Sequence, residues 1–204
     1  MTATTPSETA DRSAFGRAFL TARTQTLLKA LVAVWIFSGG FVLIEPSPYE
    51  VLFIGTFAIA LAGGLKLHRD TLPLLGLILL FTPFALIAVF QVRYMDVFEA
   101  LIFTLVTVFL MITSYFAANF VAQAPFAHMR LIGWAYIVAA LIAAVVGTLA
   151  YLGLLPGEGI FLLYGRAKAF FKDPNVFGPF LVLPAMFLLQ RALLGGPRQA
   201  LIGG

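Results

Sequence analysis

The chain has no cysteine, only two histidines and only 11% charged residues among its 204. Without cysteine there is neither a disulfide framework nor a thiolate metal site, and two isolated histidines, His68 and His128, cannot supply a cage of metal ligands. No metal or other cofactor is expected. The shortage of charge excludes a soluble globule with a polar skin: 61% of the residues are hydrophobic, 21 are Phe, and the mean hydropathy is +1.00. Lipid is therefore the solvent for most side chains. A net charge of +4 would point to nucleic acid in a soluble protein. Here most cations flank apolar runs, where they set topology, and no nucleic-acid partner is expected.

Hydropathy predicts an all-α polytopic integral membrane protein with about six transmembrane helices, near Leu27–Ile44, Val51–Leu67, Leu72–Gln91, Val97–Val121, Leu131–Leu155 and Pro174–Leu194. The breaks EPSPYE, KLHRD, VRYMD and AQAPFAHMR combine prolines with charges that are costly in hydrocarbon. Residues 1–26 read as a disordered cytoplasmic leader, 27–155 as a five-span bundle, and 156–204 as an outer-face loop with a sixth span. The first apolar stretch exceeds the 7–15 residues of a signal-peptide core and no small-residue cleavage site follows, so it reads as a retained helix.

Orientation follows from the basic residues. With both termini cytoplasmic, Arg12, Arg17, Arg23, Lys29, Lys66, Arg69, Arg130, Arg191 and Arg198 fall inside, and only Arg93, Arg166, Lys168 and Lys172 fall outside. Three of these exceptions share the loop GRAKAFFKDPN, against the rule that governs the rest of the chain. If that loop is extended, Arg166, Lys168 and Lys172 face one way; if it is helical, Lys168 and Lys172 share a face and Arg166 pairs with Phe170. Asp173-Pro174 has the signature of an N-cap followed by proline at the first helical position, so exposed backbone N–H groups and a positive helix end are expected beside the cations. Together these favour an oxyanion such as phosphate or diphosphate. The plainer reading is ordinary capping, with cations touching membrane phosphates. Pro179 and Pro184 are expected to free the carbonyls of Asn175 and Phe180.

The order Gly165, Arg166, Phe170, Phe171, Asp173, Pro174, Asn175, Phe177, Gly178, Leu181 resembles the start of the core domain in bacterial O-antigen ligases and related polysaccharide polymerases. The resemblance implies a membrane glycosyltransferase at the outer face of the bacterial inner membrane. Such an enzyme moves an undecaprenyl-diphosphate-linked glycan, O-antigen or exopolysaccharide, to a glycan or lipid acceptor without a metal ion. Arg166, Lys168 and Lys172 would then bind the diphosphate, Arg166 neutralising the leaving group, while Asp173, Pro174, Asn175 and Gly178 shape the site. The family has about twice as many spans and a large outer loop bearing a further arginine and a histidine base; His68 and His128 fall in loops assigned to the cytoplasm. The chain therefore reads as an N-terminal half, the start of a truncated core domain, with no catalytic residue of its own and no transferase activity expected of it alone.

A second polar group, Gln91, Arg93, Asp96 and Glu99, is expected at the outer ends of the third and fourth spans. It reads as an ion pair on Arg93 or as an addition to the glycan site. Asn119, Thr104, Thr107, Thr113 and Ser114 are expected to bond between helices, and Gly39-Gly40 and Gly63-Gly64 to mark close packing or kinks. Two rival readings are a transporter or permease fragment, which usually holds its polar groups near the bilayer midplane, and a non-catalytic scaffold, which gives no reason for cations on the outer side.

Overall fold

The computed structural model of the chain describes residues 24–44, 46–63, 65–155 and 159–194. Most of the leader, Gly64 and Arg198 lie outside them. Six helices form: α1 Thr24–Ser38, α2 Pro48–Ala62, α3 Leu72–Val89, α4 Val97–Gln123, α5 Pro125–Tyr151 and α6 Pro174–Leu194. Four spans, Arg69–Val89 (a 3₁₀ turn plus α3), α4, α5 and α6, are long and apolar enough to cross a membrane. At 27 residues, α4 and α5 each rise about 40 Å, beyond a hydrocarbon core of roughly 30 Å. The 15-residue α2 rises only about 22 Å, and α1 is likewise short.

Two compact units divide the chain: Met1–Ile59 with Arg130–Gly204, and Ala60–Met129. In the first unit, α1 stops six residues before the apolar run ends. Gly39 and Gly40 turn the chain, and a Cβ on Gly40 would come 3.1 Å from the Ala139 Cβ, so the turn lies close against α5. Val42 then runs extended, its N–H donating to the Phe170 carbonyl at 2.8 Å in an isolated parallel bridge to Phe171. At the start of α2, Ser47 and Glu50 form half of a capping box: the Ser47 N–H donates to Glu50 Oε2 at 2.8 Å. Trp35 packs on Tyr49 and Phe53 with centroids 5.4 and 5.1 Å apart, which joins α1 to α2.

Of the four spans, α5 is the most covered, with 28% of its apolar window buried against 11% in each of the other three. Its buried stripe of small residues, Ala139, Ala140, Ala143, Gly147 and Ala150, recurs at helical spacing and lets neighbours approach closely. Ala143, Ala169, Phe171 and Phe177 form a core there, with Val42, Ala167, Phe180 and Leu181 around it. One freed carbonyl finds a partner across the bundle. Pro184 removes the donor that Phe180 would have received, and the Tyr136 hydroxyl donates to the Phe180 carbonyl at 2.7 Å instead.

In the second unit, Asn119 is fully buried on α4, and its Oδ1 accepts from the His68 N–H and the Thr71 hydroxyl, each at 2.9 Å. Its amide donates to the Tyr115 carbonyl at 3.0 Å. The expected loop between the fourth and fifth spans is only a break at Ala124, because Pro125 starts α5 rather than ending a helix. His128 is thereby buried, its ring stacked on Phe120 at 3.9 Å and its Nδ1 against the Phe120 carbonyl. The hydroxyls of Thr104, Thr107, Thr113 and Ser114 do not bridge helices. Each donates to a carbonyl three or four residues back on α4, the local competition that short polar side chains offer.

Candidate anion-binding site

After α5 the chain forms a two-stranded antiparallel hairpin, β1 Leu162–Leu163 and β2 Arg166–Ala167, with Leu163 opposite Arg166. The two turn residues, Tyr164 and Gly165, have φ of 52° and 69°, the primed turn whose twist suits a tight hairpin. Glycine adopts that conformation freely; for Tyr164 it costs about 1–2 kcal/mol. The Lys168 and Ala169 N–H groups both donate to the Phe161 carbonyl, at 2.9 and 3.2 Å. Ala169 then takes φ 45° and turns the chain into the core, where Ala169 and Phe171 are buried.

This path sorts the three cations. Arg166 is exposed on the hairpin, Lys172 is exposed just before α6, and Lys168 is drawn inward to 8% exposure. The Lys168 ammonium has no hydrogen-bond or ion-pair partner among the described residues. Arg166 Nη2 donates to Asn175 Oδ1 at 3.0 Å, which ties the guanidinium to the first turn of α6 and leaves most of its fork open.

The start of α6 differs from expectation in one respect. Asp173 accepts the Asn175 N–H on Oδ1 at 2.7 Å, and its carbonyl accepts from Val176 and Phe177 at 3.1 and 3.2 Å. Pro174, buried at the first helical position, has no N–H. Every donor of the first turn is therefore answered from within, and the cationic side chains carry whatever affinity for anions this corner has. Gly178 is exposed and a Cβ there would meet nothing within 4 Å, so no close approach requires glycine at that position.

No family model, curated protein or solved structure matches the chain. The chemistry of this corner therefore rests on its own residues.

Arg93, Asp96 and Glu99 are all exposed. Asp96 caps α4, accepting the Phe98 N–H at 3.1 Å, and Arg93 forms no ion pair with either carboxylate among the described residues. In water-exposed positions neither charge needs a partner. The sequence reading missed the hairpin, since Tyr-Gly lacks the Asn-Gly or Asp-Gly signature. It also missed the burial of Lys168, which follows from the turn at Ala169.

Proposed function

We propose that this chain handles the donor of a membrane glycosyltransferase: it holds an undecaprenyl-diphosphate-linked glycan at the outer face of the bacterial inner membrane for transfer to a glycan or lipid acceptor. The observation that carries this reading is Lys168, nine-tenths buried and without a counter-charge among the described residues. Its stem is buried while its ammonium is not among the buried atoms left without a partner, so the charge reaches the surface, where an anion from outside can meet it. Arg166, steadied by Asn175, offers a planar fork to phosphate oxygens, and Lys172 adds positive potential at the same loop. The O-antigen ligase-like order of residues from Gly165 to Leu181 supports diphosphate over other anions.

The topology in this reading has six spans, both termini cytoplasmic and residues 156–173 outside. The bridge between Val42 and Phe171 supports it, because it brings the α1–α2 connection to the same loop.

The test is binding by the intact chain in phosphatidylcholine nanodiscs, titrated with inorganic pyrophosphate. Lys168→Met and Arg166→Ala are each expected to weaken binding roughly tenfold or more, the scale of one charge-assisted hydrogen bond. Arg166→Lys should recover little, since a point charge lacks the fork. Unchanged affinity in both Lys168→Met and Arg166→Ala would overturn the reading.

A further inference from the structure

The other end of the α5–α6 pair carries a second cationic corner, which the proposed function does not use. Arg191 lies in the last turn of α6, and its guanidinium sits over the Trp134 ring of α5, 5.7 Å from the centroid. Arg130 precedes Trp134 on α5 by one turn, on the same face. Arg130 and Trp134 are exposed and Arg191 is half-buried. A guanidinium over a ring face keeps its edge N–H groups for other acceptors, and neither these nor the Trp134 indole N–H has one among the described residues. Neither helix contains an Asp or a Glu.

Helix length sets the depth of this corner. The 21 residues of α6 rise about 31 Å, which fills a hydrocarbon core of roughly 30 Å, so Arg191 and the Trp134 ring beside it lie at the core's boundary. Arg130, about 6 Å nearer the start of α5, stands in the head-group layer. On the core side the surface is apolar: Val138, one turn beyond Trp134, and Phe187, one turn before Arg191, are both exposed.

We propose that Arg130, Trp134 and Arg191 form a seat for the phosphate of an anionic phospholipid, in the leaflet opposite the cation loop, with its acyl chains over Val138 and Phe187. The proposal is independent of the diphosphate reading, because the length of α6 separates the two corners. Arginine forks suit phosphate oxygens, and tryptophan at the core boundary donates from its indole into the polar layer. Charge complementarity selects the class of lipid: a zwitterionic head group brings its own ammonium to a corner that has two fixed cations and no acid on either helix. Arg191 also complements the negative end of α6, but that role alone calls for neither Arg130 nor an anionic lipid.

The experiment reads tryptophan fluorescence of the intact chain in phosphatidylcholine vesicles, with lipids brominated on the acyl chains as contact quenchers. Of the two tryptophans, Trp134 is exposed, and Trp35, at 1% exposure, reports that each variant keeps its fold. Brominated phosphatidylglycerol is expected to occupy the site at least about fivefold more strongly than brominated phosphatidylcholine, the scale of one basic residue at a membrane surface. Arg130→Gln and Arg191→Gln should each cut that preference severalfold, and the double substitution should remove it. Arg191→Lys should recover only part, since a point charge has neither the fork nor the flat face for the ring. Equal quenching by the two lipids, a preference that survives the double substitution, or quenching that persists in Trp134→Phe overturns the seat. Full recovery in Arg191→Lys overturns it too, since the corner would then be no more than a positive potential. Displacement of phosphatidylglycerol by inorganic phosphate at constant ionic strength makes the corner a site for soluble anions, against the proposal.

Discussion

Asp173 accepts the Asn175 N–H through its carboxylate while its carbonyl takes the amides of Val176 and Phe177. A carboxylate in that position closes the helix and frees the Asn175 side chain to hold Arg166. Asp173→Asn and Asp173→Ser keep an oxygen acceptor and are expected to be nearly neutral, whereas Asp173→Ala should cost about 0.5–2 kcal/mol. Thermal unfolding of the three variants, with pyrophosphate titration on each, checks this. A variant that keeps its stability but loses binding would show that the charge of Asp173 acts on the ligand, against the capping role. At this scale the cap was legible, because Asp-Pro before an apolar run admits few other readings. The fate of Lys168 was not. It depends on a left-handed residue at Ala169, a conformation that alanine rarely adopts and that no spacing rule foresees. The partners of Asn119 were equally hidden, since they come from His68 and Thr71 some fifty positions away.

Among the elements, α6 runs over the residues hydropathy assigned to the sixth span, because Asp173-Pro174 marks its start in the sequence itself. The first helix fell short of its expected end for a reason hydropathy does not record. Phe41 to Ile44 are as apolar as the helix before them, yet the chain turns out of the helix there and Val42 pairs with the segment leading into α6. Hydropathy recorded that these residues are apolar, and not that the helix stops at Ser38. The prolines of α6 make a sharper test. If Tyr136 is held because Pro184 leaves the Phe180 carbonyl without a donor, the two side chains are energetically coupled. Tyr136→Phe alone should destabilise by about 0.6–2 kcal/mol, the range for lost hydrogen bonds between membrane helices. In a Pro184→Ala background, residue 184 regains an N–H for that carbonyl, and Tyr136→Phe should then cost little. Equal losses in both backgrounds, measured by unfolding in mild detergent, would mean that the hydroxyl is incidental to the proline.

For the whole molecule, composition alone established the lipid environment, and four of the described spans are long enough to cross it. The number and direction of crossings turn on α1 and α2, which are too short to span a full core as straight helices. The Val42–Phe171 bridge connects this question to the candidate site. It places the α1–α2 connection beside the loop that carries the cations, so the two segments must face the same compartment whichever compartment that is. On the proposed topology that compartment is the outer one, and the break between α4 and α5 faces the cytoplasm. Single cysteines at Ile160, Ile44 and Phe126, all exposed, report on the three places in a chain that has no native cysteine to confuse the readout. Ile160 serves better than Gly159, whose φ of 81° resists a side chain. With an impermeant thiol reagent on intact cells, Ile160→Cys and Ile44→Cys should be labelled together and Phe126→Cys only after the cells are opened. Labelling of Phe126→Cys alone inverts the protein and removes the outer-face donor site. Labelling of Ile160→Cys without Ile44→Cys, when both label in opened cells, would instead break the link between the α1–α2 connection and the cation loop, and with it the argument that α1 crosses at all.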